Sequence, residues 1–360
     1  MKAIGKFVSF FLLSILLCAC DKPEDEIEAS KLTEKDGSEL SSGDILNPVV
    51  GKTVNYPDPL GSYSTFALPE ELKNLTMYNY PIMDGSESTQ PLRRLLWCRF
   101  LRIEPDKWIN PTLGYYTIYP DYGRGESEEL RNQFWRANWD MNTHQSFLNL
   151  IDDEVDIIIT ARGISRDEKV YADEQGVELI EKPIAKDAFV FMVNVNNPVG
   201  NLTIHQIQDI YTANLRNWKE VGGKDAEISP YIRNANSGSQ EKMETIVMKG
   251  LTMIDWPEMK GMSMGSPYLS IDCDEYGIAY TPYYYYRYMA RDPYCRVIGV
   301  EGIAPTRETI TNGTYPFVTE VVTAIRADEP HDSYTYRIFE ILTQGRANSI
   351  IKESGYIPYK

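Results

Sequence analysis

Polar loops leading into apolar helices recur along this chain. Apolar residues over 78–83 predict a short strand, followed by the hydroxyl-rich loop 84–90. Pro91 then suits a first helical turn, and Leu92, Leu95, Leu96 and Phe100 recur at helical spacing until Pro105. Asn142 and Thr143 precede a second apolar helix containing Phe147, Leu150 and Ile151, and a strand over 155–160 ends in Ala161-Arg162-Gly163-Ile164-Ser165. Strands are predicted over 177–182 and 189–196. Thr203 and Gln206 form a capping box for a helix over 204–212. A strand over 228–233 feeds the polar run Asn234 to Ser239, after which Met243, Ile246 and Val247 mark a helix that Gly250 stops. An extended apolar run over 316–325 and helices near 334–342 and 346–353 complete the pattern. Residues 109–139, rich in Tyr and Trp, read as a strand plus irregular loop. Strands alternating with helices predict an α/β fold with parallel sheets.

The first residues follow a different pattern. Lys2 and Lys6 precede an apolar run over 7–17, too short for the ~20 residues of a membrane span, so residues 1–19 read as an export signal. Leu17-Cys18-Ala19-Cys20 resembles the bacterial lipoprotein box, which makes Cys20 the expected lipidation site. Residues 20–64 read as an acidic tether. The net charge of −16 excludes a basic nucleic-acid footprint, while 42% hydrophobic residues suffice for a buried core. Beyond the leader, Cys98, Cys273 and Cys295 match no zinc spacing, and pairing of Cys273 with Cys295 stays open. Asp272, Asp274 and Gly277 imitate the start of a calcium loop, but Tyr283 stands where the closing glutamate belongs, so the segment reads as a turn. The tyrosine run 283–286 reads as core rather than as a stacking surface.

The candidate chemistry lies at the helix starts. Around Arg233, Ser237, Gly238 and Ser239, backbone N–H groups, hydroxyls and a guanidinium could converge on a tetrahedral oxyanion; the alternative is an ordinary serine-capped helix. Catalysis has little support. Only three histidines occur; His205 reads as structural and His144 as a conceivable donor, while Ser237 has no identifiable base and no nucleophile-elbow motif is present. No metal or cofactor is expected.

A family likeness decides between these alternatives. Asp84-Gly85-Ser86, 155–160, Asn197-Pro198-Val199 with Leu202-Thr203, 217–223, 233–239, Gly302 to Thr306, Asn312 to Pro316 and Gly355-Tyr356-Ile357-Pro358 occur in the order found in the phosphate-binding proteins of bacterial phosphate ABC transporters, which the chain resembles over 78–358. The resemblance implies a type II periplasmic-binding-protein fold, with two α/β lobes joined by crossing strands at 189–196 and 316–325. Lobe 1 would hold residues 65–190 and 319–360, and lobe 2 residues 191–318. Carried over by motif, the ligand would be held by Thr89, the Gln90 amide, Thr143, Arg233, Ser237, Gly238 and Ser239, with Ser88 and Asn236 as neighbours. The chain departs from the family in having Ala161 and Ala235 where aspartates are expected, and Glu87 in the first loop. Arg162 either contacts the ligand or makes a surface ion pair. The implied function is that of an extracytoplasmic, lipid-anchored and monomeric solute-binding protein. It would deliver phosphate or a similar oxyanion to an ABC permease. The alternative is a surface lipoprotein that uses the same fold as a recognition or signalling module.

Overall fold

Sixteen consecutive residues, Leu179–Asn194, form one strand (β3) that the rest of the fold is arranged around. The computed structural model describes residues 66–103, 118, 120, 125–255, 259–290 and 292–360, so the expected signal, the lipidation site at Cys20 and the whole tether lie outside the described residues. Two strands were expected where β3 runs unbroken. Pro183 reads as a breaker because it lacks an N–H, but the register with the return strand Val318–Arg326 shifts at this point. Val321 faces Ala185 and Val322 faces Pro183, which leaves Ile184 as the extra residue of a bulge.

Strand Met83–Gly85 (β1) lies parallel to Ile157–Thr160 (β2). The sheet then continues through the return strand, β3, Gly277–Pro282 and Ser229–Pro230. The return strand is antiparallel to both β2 and β3, and Gly277–Pro282 is antiparallel to β3. The sheet is therefore mixed rather than parallel, because the two longest strands run against their neighbours.

These two strands carry a core on each half. Ile184 and Ala185 of β3, with Val321 and Ile325 of the return strand, pack with Leu92, Trp97, Ile338 and Ile350. Phe189, Phe191 and Val193 instead join Ile207, Tyr211, Met243, Tyr280 and Phe317. All the side chains of Phe189–Val193 are shielded from water, as a nearly continuous apolar run requires.

Helix α1 (Gln90–Phe100) has Pro91 in its first turn. Helix α2 (Glu128–Ala137) lies where an irregular segment was expected; Ser127 caps it by accepting from Leu130 N at 3.1 Å. The rest of that segment over 109–117 lies outside the described residues. Helix α3 (Thr143–Ile151) is capped by Asn142. Helices α4 (Arg166–Gln175) and α5 (Ile204–Tyr211) each carry a capping box. The first expected strand is displaced to Met83–Gly85, and the strand expected over 228–233 is broken into Ser229–Pro230 and Ile232–Arg233, which pair in different sheets.

Tyr284 is core: its ring stacks on Tyr356 at 3.8 Å, and its hydroxyl donates to Ser354 O at 2.6 Å. His205 is exposed and pairs with Asp209 at 2.8 Å, so it contributes to the surface of α5 rather than to a core. Cys98 and Cys295 are free, buried thiols, so Cys295 forms no disulfide with Cys273. Among the described residues no helix is long and apolar enough to cross a membrane.

The parallel contact of β1 with β2 requires glycine at 85, where an added Cβ would lie 1.9 Å from Ile159 O. Overpacking ordinarily costs about 1–3 kcal/mol, and backbone on a central strand cannot yield as a side chain can. Gly85→Ala is expected to lower stability by at least that amount, measured as a fall in the urea midpoint with unchanged m-value.

Candidate functional site

Three loop-to-helix junctions and the end of β2 meet around a cavity of about 180 Å3. Its walls include Ser86 and Ser88 from the first loop, Asn142 and Thr143 from the second, and Arg233, Ser237, Gly238 and Ser239 from the third. Ala161 and Lys242 complete its deep side, while Met262, Ser263 and Met264 close it from another segment.

The first two loops are locked to each other before any ligand is considered. Buried Asp84 accepts from Gly85 N at 2.7 Å, Met141 N at 3.1 Å and Asn149 Nδ2 at 2.9 Å. Ser86 Oγ accepts from Ala161 N at 2.9 Å and shares a hydrogen with Thr143 Oγ1 at 2.7 Å. One serine hydroxyl thus ties together the first loop, the β2 exit and the start of α3. Arg93, fully buried, donates to the carbonyls of Trp139 and Ser86, and Arg94 pairs with Asp140.

The third loop approaches from the other core. Ser237 caps helix α6 (Gly238–Lys242) by accepting from Gln240 N at 3.1 Å, and the helix continues as π-helix over Met243–Met248. A Cβ on Gly238 would lie 2.6 Å from Thr143 Oγ1, so only glycine allows the second and third loops to stand this close. The Arg233 backbone is fixed by Tyr280 Oη at 3.0 Å and Gln240 Oε1 at 3.1 Å. Its guanidinium, 6% exposed, donates to Gly261 O at 3.2 Å and to Met264 Sδ at 3.2 Å, the latter a weak acceptor. No carboxylate among the described residues lies within ion-pair distance of it. A buried cation whose remaining donors face a cavity is suited to an anion. Glu87 is exposed, and its Oε1 accepts from Tyr285 Oη at 3.4 Å. Loss of water pushes its pKa up, and Arg233 pulls it part of the way back.

The expected ligand residues divide into two groups. Ser88, Thr143, Arg233, Ser237, Gly238 and Ser239 share the cavity. Thr89 and Gln90 do not line it: the Thr89 hydroxyl is directed to Ser86 O and Ile159 O at 2.8 and 2.6 Å, and the Gln90 amide closes a turn onto Glu87 O. Asn236 is exposed in a left-handed conformation (φ 62°), where it turns the loop without reaching the cavity wall.

Arg162 is also absent from the wall. Its guanidinium forms a fork on Glu168, with distances of 2.8 and 2.6 Å, and Glu168 also accepts from Ser165 N at 2.8 Å. His144 Nδ1 lies 3.0 Å from the same carboxylate, so His144 serves this buried network rather than the cavity. Ser86 and Lys242 are two polar wall residues outside the expected ligand set. Ser86 follows the tight Gly85 in an already suspected loop. Lys242 shares a helical stripe with Ser239 and Ile246, where a charge is out of place, and that was the available signal.

Two lobes on shared strands, with helix starts converging between them, define a two-lobed ligand-binding protein. Residues 140–335, more than half of the chain, match the PBP superfamily domain, and the chain belongs to that superfamily. It is similar to the phosphate-binding protein PstS of Borreliella burgdorferi, with 22% identity over 57% of this chain and 72% of that one. It is also similar to PstS of Staphylococcus saprophyticus, with 27% identity over 52% of this chain and 62% of that one. Among solved structures, a phosphate ABC transporter substrate-binding protein with bound phosphate from Clostridium perfringens superposes with a TM-score of 0.56. That match has 20% identity and covers 78% of this chain and 99% of the other, which establishes a shared fold.

Glu168 gives the region a pH signature. Burial pushes its carboxyl up, but the hydrogen bonds and charge of Arg162, the Ser165 N–H and His144 outweigh this and leave it below its ordinary value. A depressed carboxyl contributes stability in full above the unfolded pKa of about 4.3, and that contribution fades as pH falls through the lower folded value. Glu168→Gln leaves Arg162 buried without its counter-charge and is expected to cost about 3–5 kcal/mol at pH 7. The gap from wild type should narrow in acid when both are followed by denaturant unfolding.

Proposed function

We propose that this chain is an extracytoplasmic solute-binding lipoprotein that captures an inorganic oxyanion, most readily phosphate, between its lobes and presents it to a membrane ABC permease. The observation that carries this reading is the Arg233 guanidinium: buried, without a carboxylate partner among the described residues, and facing a cavity ringed by Ser88, Thr143, Ser237 and Ser239. The similarity to proteins named for phosphate binding supports it. Lobe 1 would comprise residues 65–190 and 319–360, and lobe 2 residues 191–318. The cavity is small, about 180 Å3, which suits an inorganic anion better than a bulky organic one. Ligand contacts to both lobes would favour the closed arrangement, in which Gly238 meets Thr143. Delivery to a permease, anchoring through Cys20 and a monomeric state belong to the same reading.

Recognition of another oxyanion-bearing ligand, without transport, is the second reading. It is supported by the apolar wall at Ala161, which offers no side-chain acceptor for a ligand proton.

Titration calorimetry of the purified protein with phosphate tests the first reading. Saturable one-site binding is expected, and Arg233→Ala should abolish it while leaving the melting temperature nearly unchanged, since the guanidinium has no ion partner to lose. Unaltered affinity in that variant would refute the assignment. For the anchor, Cys20→Ser should move the protein from the membrane to the soluble fraction of its host.

A further inference from the structure

Lys242 is a charged side chain that the fold leaves almost without an ion partner. It is 4% exposed, on the third turn-forming segment of the site, and it lines the cavity beside Ala161. Its ammonium makes one hydrogen bond among the described residues, to Thr319 Oγ1 on the return strand at 3.3 Å. No carboxylate among the described residues lies within ion-pair distance of it. Asp187 on β3 acts on it only at longer range and is itself pushed toward the neutral acid by burial; its Oδ1 accepts from Ala188 N and Tyr284 N, and its Oδ2 has no partner. An ammonium has three donors, and leaving them unused in a buried place is costly. The cavity in front of Lys242 is where an acceptor would satisfy them.

The same wall lacks the opposite chemistry. Among the lining residues the one carboxylate is Glu87, exposed to water. Asn142 Oδ1 is occupied by Gln145 N. A ligand carrying its own acidic proton finds no anionic acceptor in the buried part of the cavity, whereas a fully deprotonated ligand meets two cations, Arg233 and Lys242.

We propose that Lys242 is a second cationic contact for the bound anion, and that the site takes tetrahedral oxyanion dianions as a class, proton-free sulfate as well as hydrogen phosphate. This deepens the oxyanion reading above and rests on it. Lys242 also borders a second cleft of about 350 Å3, lined by Arg162, Glu241 and Glu320 among others, through which water can reach its far side. Thr319, the hydroxyl that the ammonium donates to, lines this cleft as well, so Lys242 stands between the two spaces.

Sulfate separates protein titration from ligand titration, because it carries no proton across the useful pH range. Burial, partly offset by Asp187 and reinforced by Arg162, pushes the Lys242 pKa down to about 8. Above that value the empty site loses its second charge, so sulfate affinity should fall as pH rises from 8 to 9.5. Binding there should take up a proton, seen as a heat that varies with the ionisation enthalpy of the buffer. Toward acid, protonation of Glu87 removes a repelling charge, so affinity should rise; Glu87→Gln should flatten that limb alone. Arg233 stays charged throughout.

Lys242→Met should weaken sulfate binding by about tenfold to a hundredfold at pH 7, the range for a hydrogen bond to a charged group. It should also abolish the alkaline limb. Lys242→Arg keeps the charge and cannot titrate, so it should bind at pH 7 and lose the alkaline limb; this variant decides the matter if the methionine one does not fold. An alkaline limb persisting in Lys242→Arg, or wild-type affinity in folded Lys242→Met, would overturn the proposal. Phosphate binding without sulfate binding would overturn it too while leaving the oxyanion reading in place. Failure to bind either anion would remove both.

Discussion

The antiparallel pairing of β3 with the return strand Val318–Arg326 is the constraint that the rest of the structure depends on. Each strand belongs to two cores at once, with Ala185 and Val321 packed in one, and Ala188 and Val318 against the other. Because the backbone hydrogen bonds are shared, neither half can shift along the pair without breaking its register. The loops of the two halves are thereby brought to a common place, and the close approach of Gly238 to Thr143 follows from it. The bulge at Ile184, beside Pro183, sits at this crossing, where a missing N–H and an extra residue allow the ladder to bend.

Within that frame the site is assembled by committed hydrogen bonds on one side and unused donors on the other. Ser86, Thr89, Asp84 and Arg93 spend their polar atoms on neighbouring segments. They fix the geometry and leave little for a ligand. Arg233, Lys242 and Ser239 have weakly satisfied polar ends. This division separates the residues that hold the site together from those left with donors to spare. It also explains how a chain of net charge −16 can hold an anion: nearby guanidinium, ammonium and oriented N–H dipoles set the field inside a cavity, and distant surface carboxylates are screened.

The Arg162–Glu168 pair shows the cost of satisfying a cation internally. Its fork is complete, with further donors from Ser165 and His144, so the charge at Arg162 is neutralised where that at Arg233 is not. Two arginines at loop-to-helix junctions thus have different fates. The difference lies in a glutamate six residues downstream that the capping box of α4 folds back onto the loop.

The sequence by itself determined the local elements whose signals are short-range. The helices after Pro91, Asn142, Thr203 and Ser237 form where the caps and apolar spacing placed them, since a cap and a periodic stripe act within one or two turns. The hydroxyl-bearing loops were equally legible, and so was the superfamily, through motifs kept in order. Tertiary structure alone decided that two apolar runs form one strand, that the sheet is mixed, and that α2 forms at 128–137. It also decided which hydroxyl points where: Ser86 into the wall, Thr89 into the backbone, and Lys242 behind them beside Ala161. Such choices depend on distant partners, such as Ser86 with Ala161, 75 residues away, and no local pattern records a contact that exists only after the chain has closed on itself.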